Sequence, residues 1–121
     1  MNVLVGCEES GKVREAFIRR GHVAYSNDLI PARDGGAHLQ MCVTKAIISQ
    51  QWDIIILHPE CTAMSLSGNR WYGRGMPMHN KRIDAIAYTK RLWALAKKHA
   101  RIGCALENPT SVLWKELGEP Q

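Results

Sequence analysis

Two stretches carry the side chains best suited to chemistry. "HPEC", residues 58 to 61, follows the apolar run "DIIIL" (53 to 57), and "ALENP", 105 to 109, brings Glu107 out of a second apolar run. A cysteine thiolate is an intrinsically good nucleophile, and a proline-containing turn at a strand end holds it toward whatever binds there. By itself Cys61 is also what a small buried apolar residue looks like. Glu107 changes the balance, because a glutamate in such a run is not core unless paired. If the two strands lie side by side, both residues open into one cleft. A nucleophile beside an acid able to hydrogen-bond a ring nitrogen is the equipment for covalent attack on a pyrimidine.

A third stretch, "LVGCEESGKV" (4 to 13), has the spacing of a phosphate loop, with Gly6, Gly11 and Lys12 in position. Val13 stands where that loop needs a hydroxyl for magnesium, and Glu8 and Glu9 would repel phosphate oxygens. The run "DIIIL" is followed by His58 and not by the aspartate of a magnesium site. A cofactor with hydroxyls and a positive centre suits the loop better. Glu8 can attract a sulfonium or an amino group, and Asp28, about 20 residues past the glycine turn, stands where acids bond a ribose in dinucleotide folds. A dinucleotide stays open as a ligand, although G-x-G-x-x-G is missing. So does a plain packing role for Gly6 and Gly11, with Asp28 as a turn residue. Zinc is a weaker reading. His58-x-Glu60 matches half of the nucleobase deaminase signature, but no P-C-x-x-C follows, and His58 with Cys61 matches no strong ligand spacing.

The elements that must position these residues alternate. "NVLV" (2 to 5) predicts a buried strand. Residues 10 to 20 predict a helix opened by Ser10, with Val13, Ala16 and Phe17 on one face and Gly21 closing it. "HVAYSND" (22 to 28) predicts a second strand, residues 29 to 39 a loop, 38 to 41 a short strand and 43 to 51 a helix. The run at 53 to 57 is the clearest buried strand. After a long loop, 58 to 80, a helix is expected over 81 to 99, with Ala85, Tyr88, Leu92, Leu95 and Ala96 on one stripe. "RIGCALE" (101 to 107) predicts a fifth, buried strand and "NPTSVLWKEL" a short helix. Such alternation implies a parallel sheet with helices on both faces and ligands at the carboxyl ends of its strands.

The bulk composition allows one domain with one core in 121 residues. No leader of the secretory type and no apolar run near the ~20 residues of a membrane span is apparent, so the expectation is a cytoplasmic protein without membrane contact. Four cysteines lack C-x-x-C spacing, which favours reduced thiols. A net charge of +5 suits a polyanionic partner such as nucleic acid.

Taken in order, "GCEESG", Asp28, "HPEC" and "LENP" resemble the catalytic core of DNA cytosine-5 methyltransferases, and more closely small phage-type methyltransferase-like proteins with an H-P-x-C-T motif. The resemblance spans nearly the whole chain but about half of that family's domain. It implies an α/β fold, a Rossmann-like class I methyltransferase three-layer sandwich with a mostly parallel sheet, its C-terminal strands missing. Residues 1 to 121 would then be a single, partial domain. It implies S-adenosylmethionine as cofactor, held by Gly6, Cys7, Glu8, Ser10, Gly11, Asp28 and Pro59. Cys61 would attack C6 of a cytosine extruded from DNA, Glu107 would hold N3, and Asn108 would fix its loop. Ser65, Arg70, Trp71 and Arg74 would contact DNA from a lid; a mobile basic surface loop is the competing reading. No metal is implied. Glu60 stands where the family often has proline, Cys42 where an acid near the third strand is usual, and the later arginine motif and target-recognition region are missing. These departures point to a fragment or a reduced relative, one that works with a second copy or a complementing chain. They also keep two alternatives open: a catalytically inactive DNA- or protein-binding module on the same scaffold, and a methyltransferase acting on RNA or a nucleotide.

Overall fold

The computed structural model describes residues 1–58, 74–75 and 79–106. Its elements run β1 (Asn2–Gly6), α1 (Lys12–Arg19), β2 (Val23–Asp28), β3 (His38–Gln40), α2 (Val43–Ile48), β4 (Trp52–Leu57), α3 (His79–His99) and β5 (Ala100–Leu106). The strands form one sheet in the order β3-β2-β1-β4-β5, and every pairing is parallel. The chain divides into two compact units. The first, Met1–Pro59 with Trp93–Glu107, contains the whole sheet; the second comprises Glu60–Leu92 and Asn108–Gln121.

The central strand β1 is apolar because both of its faces are covered. Val3 and Val5 pack with Ala24 on one face, under Val13 and Phe17 of α1 and beside Ile54 of β4. Strand alternation sends Leu4 to the opposite face, where Ile55 and Leu57 are also buried. There α2 contributes Val43, Ala46 and Ile47, all buried. A side chain at Gly6 would meet Leu57 and Val43 at 2.9 Å, so the last residue of β1 is small because α2 packs directly over it. Trp52 is fully buried, donates its indole N–H to the Ala46 carbonyl at 3.0 Å and meets Tyr25 edge to face. Helices thus lie on both faces of a parallel sheet, as the alternating pattern predicts.

The structure departs from the sequence expectation in four places. Helix α1 opens at Lys12, and its N-cap is Gly11 in the left-handed region (φ 78°), not Ser10. Helix α2 ends at Ile48, a turn short of the predicted 51. On α3, Leu92 and Ala96 are buried as the stripe predicts, but Tyr88 is 41% exposed, with the Arg91 guanidinium over its ring, while Arg82 and Thr89 are buried. Strand β5 is largely exposed, with Ile102 at 57%, because among the described residues it is an edge strand. The predicted helix over 108 to 117 and most of the 58 to 80 loop lie outside the described residues.

Candidate ligand site at the strand tips

The carboxyl ends of four strands line one edge of the sheet, and backbone bonds continue past the strands themselves. Glu8 N–H donates to Asn27 O (2.8 Å), His58 N–H to Gly6 O (3.0 Å) and Met41 N–H to Asp28 O (3.1 Å). The edge therefore reads Met41, Asp28, the turn Gly6–Cys7–Glu8, then His58. Of the four tips that the sequence singles out, the Gly6–Cys7–Glu8 turn and Asp28 come together here with His58, the first residue of the third. The fourth, Glu107-Asn108-Pro109, lies outside the described residues, as do Pro59, Cys61, Ser65, Arg70 and Trp71. Arg74 is exposed in a turn with Gly75, in the second unit.

The turn after β1 is tight. Cys7 has φ 62°, a left-handed conformation that costs a side-chain-bearing residue roughly 1–2 kcal/mol. Its thiol is pushed up to about 11, first by burial, then by the Asp28 carboxylate and by Cys42. Cys42 sits at the start of α2, its Sγ 3.1 Å from the Thr44 hydroxyl. Hydrogen bonds from the Thr44 hydroxyl and backbone N–H hold its thiol below the ordinary value.

Glu8 is 8% exposed and turns back onto α1. Its Oε1 accepts from Val13 N–H at 2.9 Å and from the Ser10 hydroxyl at 3.1 Å. Ser10 Oγ in turn accepts from Lys12 N–H at 3.3 Å. The glutamate thus performs the capping expected of Ser10, and a negative charge at a helix N-terminus also suits the helix dipole. An internal carboxylate at this position argues against a phosphate in the same place. Its second oxygen, Oε2, is buried without a hydrogen-bond partner among the described residues.

Asp28 ends β2. Its Oδ1 accepts from Leu29 N–H (2.7 Å) and Ile30 N–H (3.4 Å), and Oδ2 makes no bond among the described residues. The next two residues expose large apolar side chains, Leu29 at 70% and Ile30 at 49%. Their backbone is nevertheless anchored: Gln40 donates to Leu29 O at 3.2 Å, and His38 Nε2 lies 2.9 Å from Ile30 O.

The sequence gives no hint of Arg14, which is completely buried on α1 and bonded to the loop after β2. Helical patterning assigns a charged residue to solvent, and only the glycines at 11 and 36, both pressed against its guanidinium, leave a trace in the sequence. A surface cavity of about 480 Å³ lies along the same helix, lined by Ser10, Gly11, Lys12, Glu15, Arg19 and Asp34. Neither Cys7 nor Asp28 lines it. Among the described residues no group of three or more His, Cys, Asp or Glu side chains could hold a metal ion, and no helix is long and apolar enough to cross a membrane.

Comparison of the chain with protein-family models, curated proteins and solved structures found no match.

Proposed function

We propose that this chain is an S-adenosylmethionine-dependent methyltransferase domain acting on C5 of cytosine in DNA. The observation that carries the reading is the adjacency of the Gly6–Gly11 turn and Asp28 at neighbouring strand tips of an all-parallel β3-β2-β1-β4-β5 sheet. In open sheets of this kind, ligands bind beyond the carboxyl ends of the strands, with an acid bonding the ribose. The residues present fit such a cofactor. The unbonded Oδ2 of Asp28 suits a ribose hydroxyl, and exposed Leu29 and Ile30 suit a planar apolar ring. Gly6 lets α2 pack over the end of β1, while Cys7, Ser10 and Gly11 shape the turn.

The cofactor supplies an electrophilic methyl group. For the substrate, Cys61 is assigned the attack on C6 of the cytosine ring, which makes C5 nucleophilic. Glu107 is assigned the hydrogen bond at N3 that supports the developing enamine, and Asn108 the fixing of its loop. Once C5 has taken the methyl group, with S-adenosylhomocysteine as the leaving group, loss of the C5 proton to a solvent base allows Cys61 to leave by elimination.

Calorimetric titration with S-adenosylhomocysteine tests the cofactor assignment: the chain should bind it, and Asp28→Ala should weaken binding about ten-fold, the loss of roughly one ribose hydrogen bond to a charged acceptor. The substrate arm is covalent trapping on DNA containing 5-fluorocytosine, which Cys61→Ala should abolish. A folded chain that ignores the cofactor removes the first assignment; trapping that survives the substitution removes the second.

A further inference from the structure

We infer that Arg14 is a positioning residue: it fastens the loop 29–37, which begins at Asp28, to the helix that begins at the glycine turn, and so sets the two sides of the proposed cofactor site, on which reading this inference rests, relative to each other. The guanidinium reaches acceptors in the loop and on β2. Its Nη2 pairs with Asp34, and Nη1 donates to Ala37 O at 3.2 Å and to the Ser26 hydroxyl at 2.6 Å. Nε meets Glu15 on its own helix at 3.4 Å.

Ser26 carries the linkage further. Its Oγ accepts from Arg14 and lies 2.7 Å from His38 Nδ1, and the other ring nitrogen lies 2.9 Å from Ile30 O. Ser26 Oγ also lies 3.3 Å from Ala37 O, and His38 Nε2, facing a carbonyl, donates to Ile30 O. One chain of bonds therefore runs from Asp34, through Arg14, Ser26 and His38, back to the residue two past Asp28. A second tie is independent: Arg33 N–H donates to Glu9 O at 2.8 Å, and the Arg33 side chain pairs with Glu9.

Three features favour positioning over simple stabilisation. Arg14 is buried and its partner Asp34 only partly so, and the desolvation of the guanidinium offsets much of the attraction, so the pair's return is a defined geometry. Arginine alone offers a planar fork of donors able to reach several acceptors at once. The space is also shaped for it, since a Cβ at Gly11 or at Gly36 would run into the guanidinium. The consequence is local: Leu29 and Ile30 are held outward at the rim by bonds to the backbone, although burial would suit their side chains.

The test compares intact chain, Asp34→Asn and Arg14→Lys. Hydrogen exchange reads the clamp at the Gly35 and Gly36 amides, bonded within the loop to Ala32 O and Asp34 Oδ1, and titration with S-adenosylhomocysteine reads its consequence. Asp34 is partly exposed, so its variant should still fold, and a melting curve of each variant separates lost positioning from lost folding. Both variants should lose exchange protection across 29–37. They should bind about ten-fold more weakly, as when the competent population falls to about one-tenth. Protection unchanged in both variants overturns the clamp. Protection lost with affinity unchanged overturns its positioning role. No binding by the intact chain overturns the proposed cofactor and the affinity arm with it, while the exchange arm still decides the clamp.

Discussion

Cys7 and Cys42 sit near each other at the strand tips, yet their environments push them in opposite directions. Burial and the Asp28 carboxylate disfavour the Cys7 thiolate, whose pKa rises to about 11. The Thr44 hydroxyl and the N–H groups at the start of α2 favour that of Cys42. Since the thiolate is the reactive form, alkylation at about pH 8 should label Cys42 well before Cys7. Peptide-resolved mass spectrometry of an iodoacetamide time course reads the order, and equal rates would remove the burial assigned to Cys7. The sequence alone marks both as free thiols but does not rank them. Their difference arises first from the burial of Cys7, then from Asp28, 21 residues away in the chain, and from Thr44 beside Cys42.

Among the elements, α1 shows how far local patterning reaches. Val13 and Phe17 do pack on the sheet as their spacing predicts. The start of the helix was less legible, because Ser10 and Glu8 both offer an oxygen. The left-handed Gly11 reverses the chain so that the longer Glu8 side chain reaches Val13 N–H. Glu8→Ala should therefore destabilise the fold by about 1–2 kcal/mol, in the range of lost helix caps, and Ser10→Ala by less. Urea unfolding of the two variants provides the comparison, and a larger loss for Ser10→Ala would reassign the cap. Strand β5 makes the complementary point. Its apolar letters predict a strand, which it is, but burial belongs to what covers a strand, and in the described structure β5 is an edge.

For the whole molecule, two carboxylates tie distant segments together and both titrate below their ordinary value. Asp34 is lowered by the Arg14 guanidinium and the Gly36 N–H, and Asp53 by the Asn2 N–H and the Arg101 side chain. Asp53 thereby joins the beginnings of β1, β4 and β5, with both bonds at 2.7 Å. A lowered folded-state value means that stability is present above the unfolded value of 3.8 and is lost as pH falls through the folded ones. Melting temperature should thus hold steady above about pH 5 and decline below about pH 4, and the Asp34→Asn/Asp53→Asn double variant should show a shallower acid decline. Both groups are open to water, so added salt should shrink the difference. Identical acid limbs would show that neither pair contributes. By itself the sequence determined the alternation of strands and helices, the apolar centre of the sheet and the gathering of polar residues at strand ends, because these are local signals of period and punctuation. Only the tertiary structure decided that β1 lies between β2 and β4, that Glu8 caps α1, that β5 is exposed and that Arg14 is buried. Each of those depends on groups brought together by folding, such as Arg14 and Asp34 across 20 residues, and no periodicity along the chain encodes such a meeting.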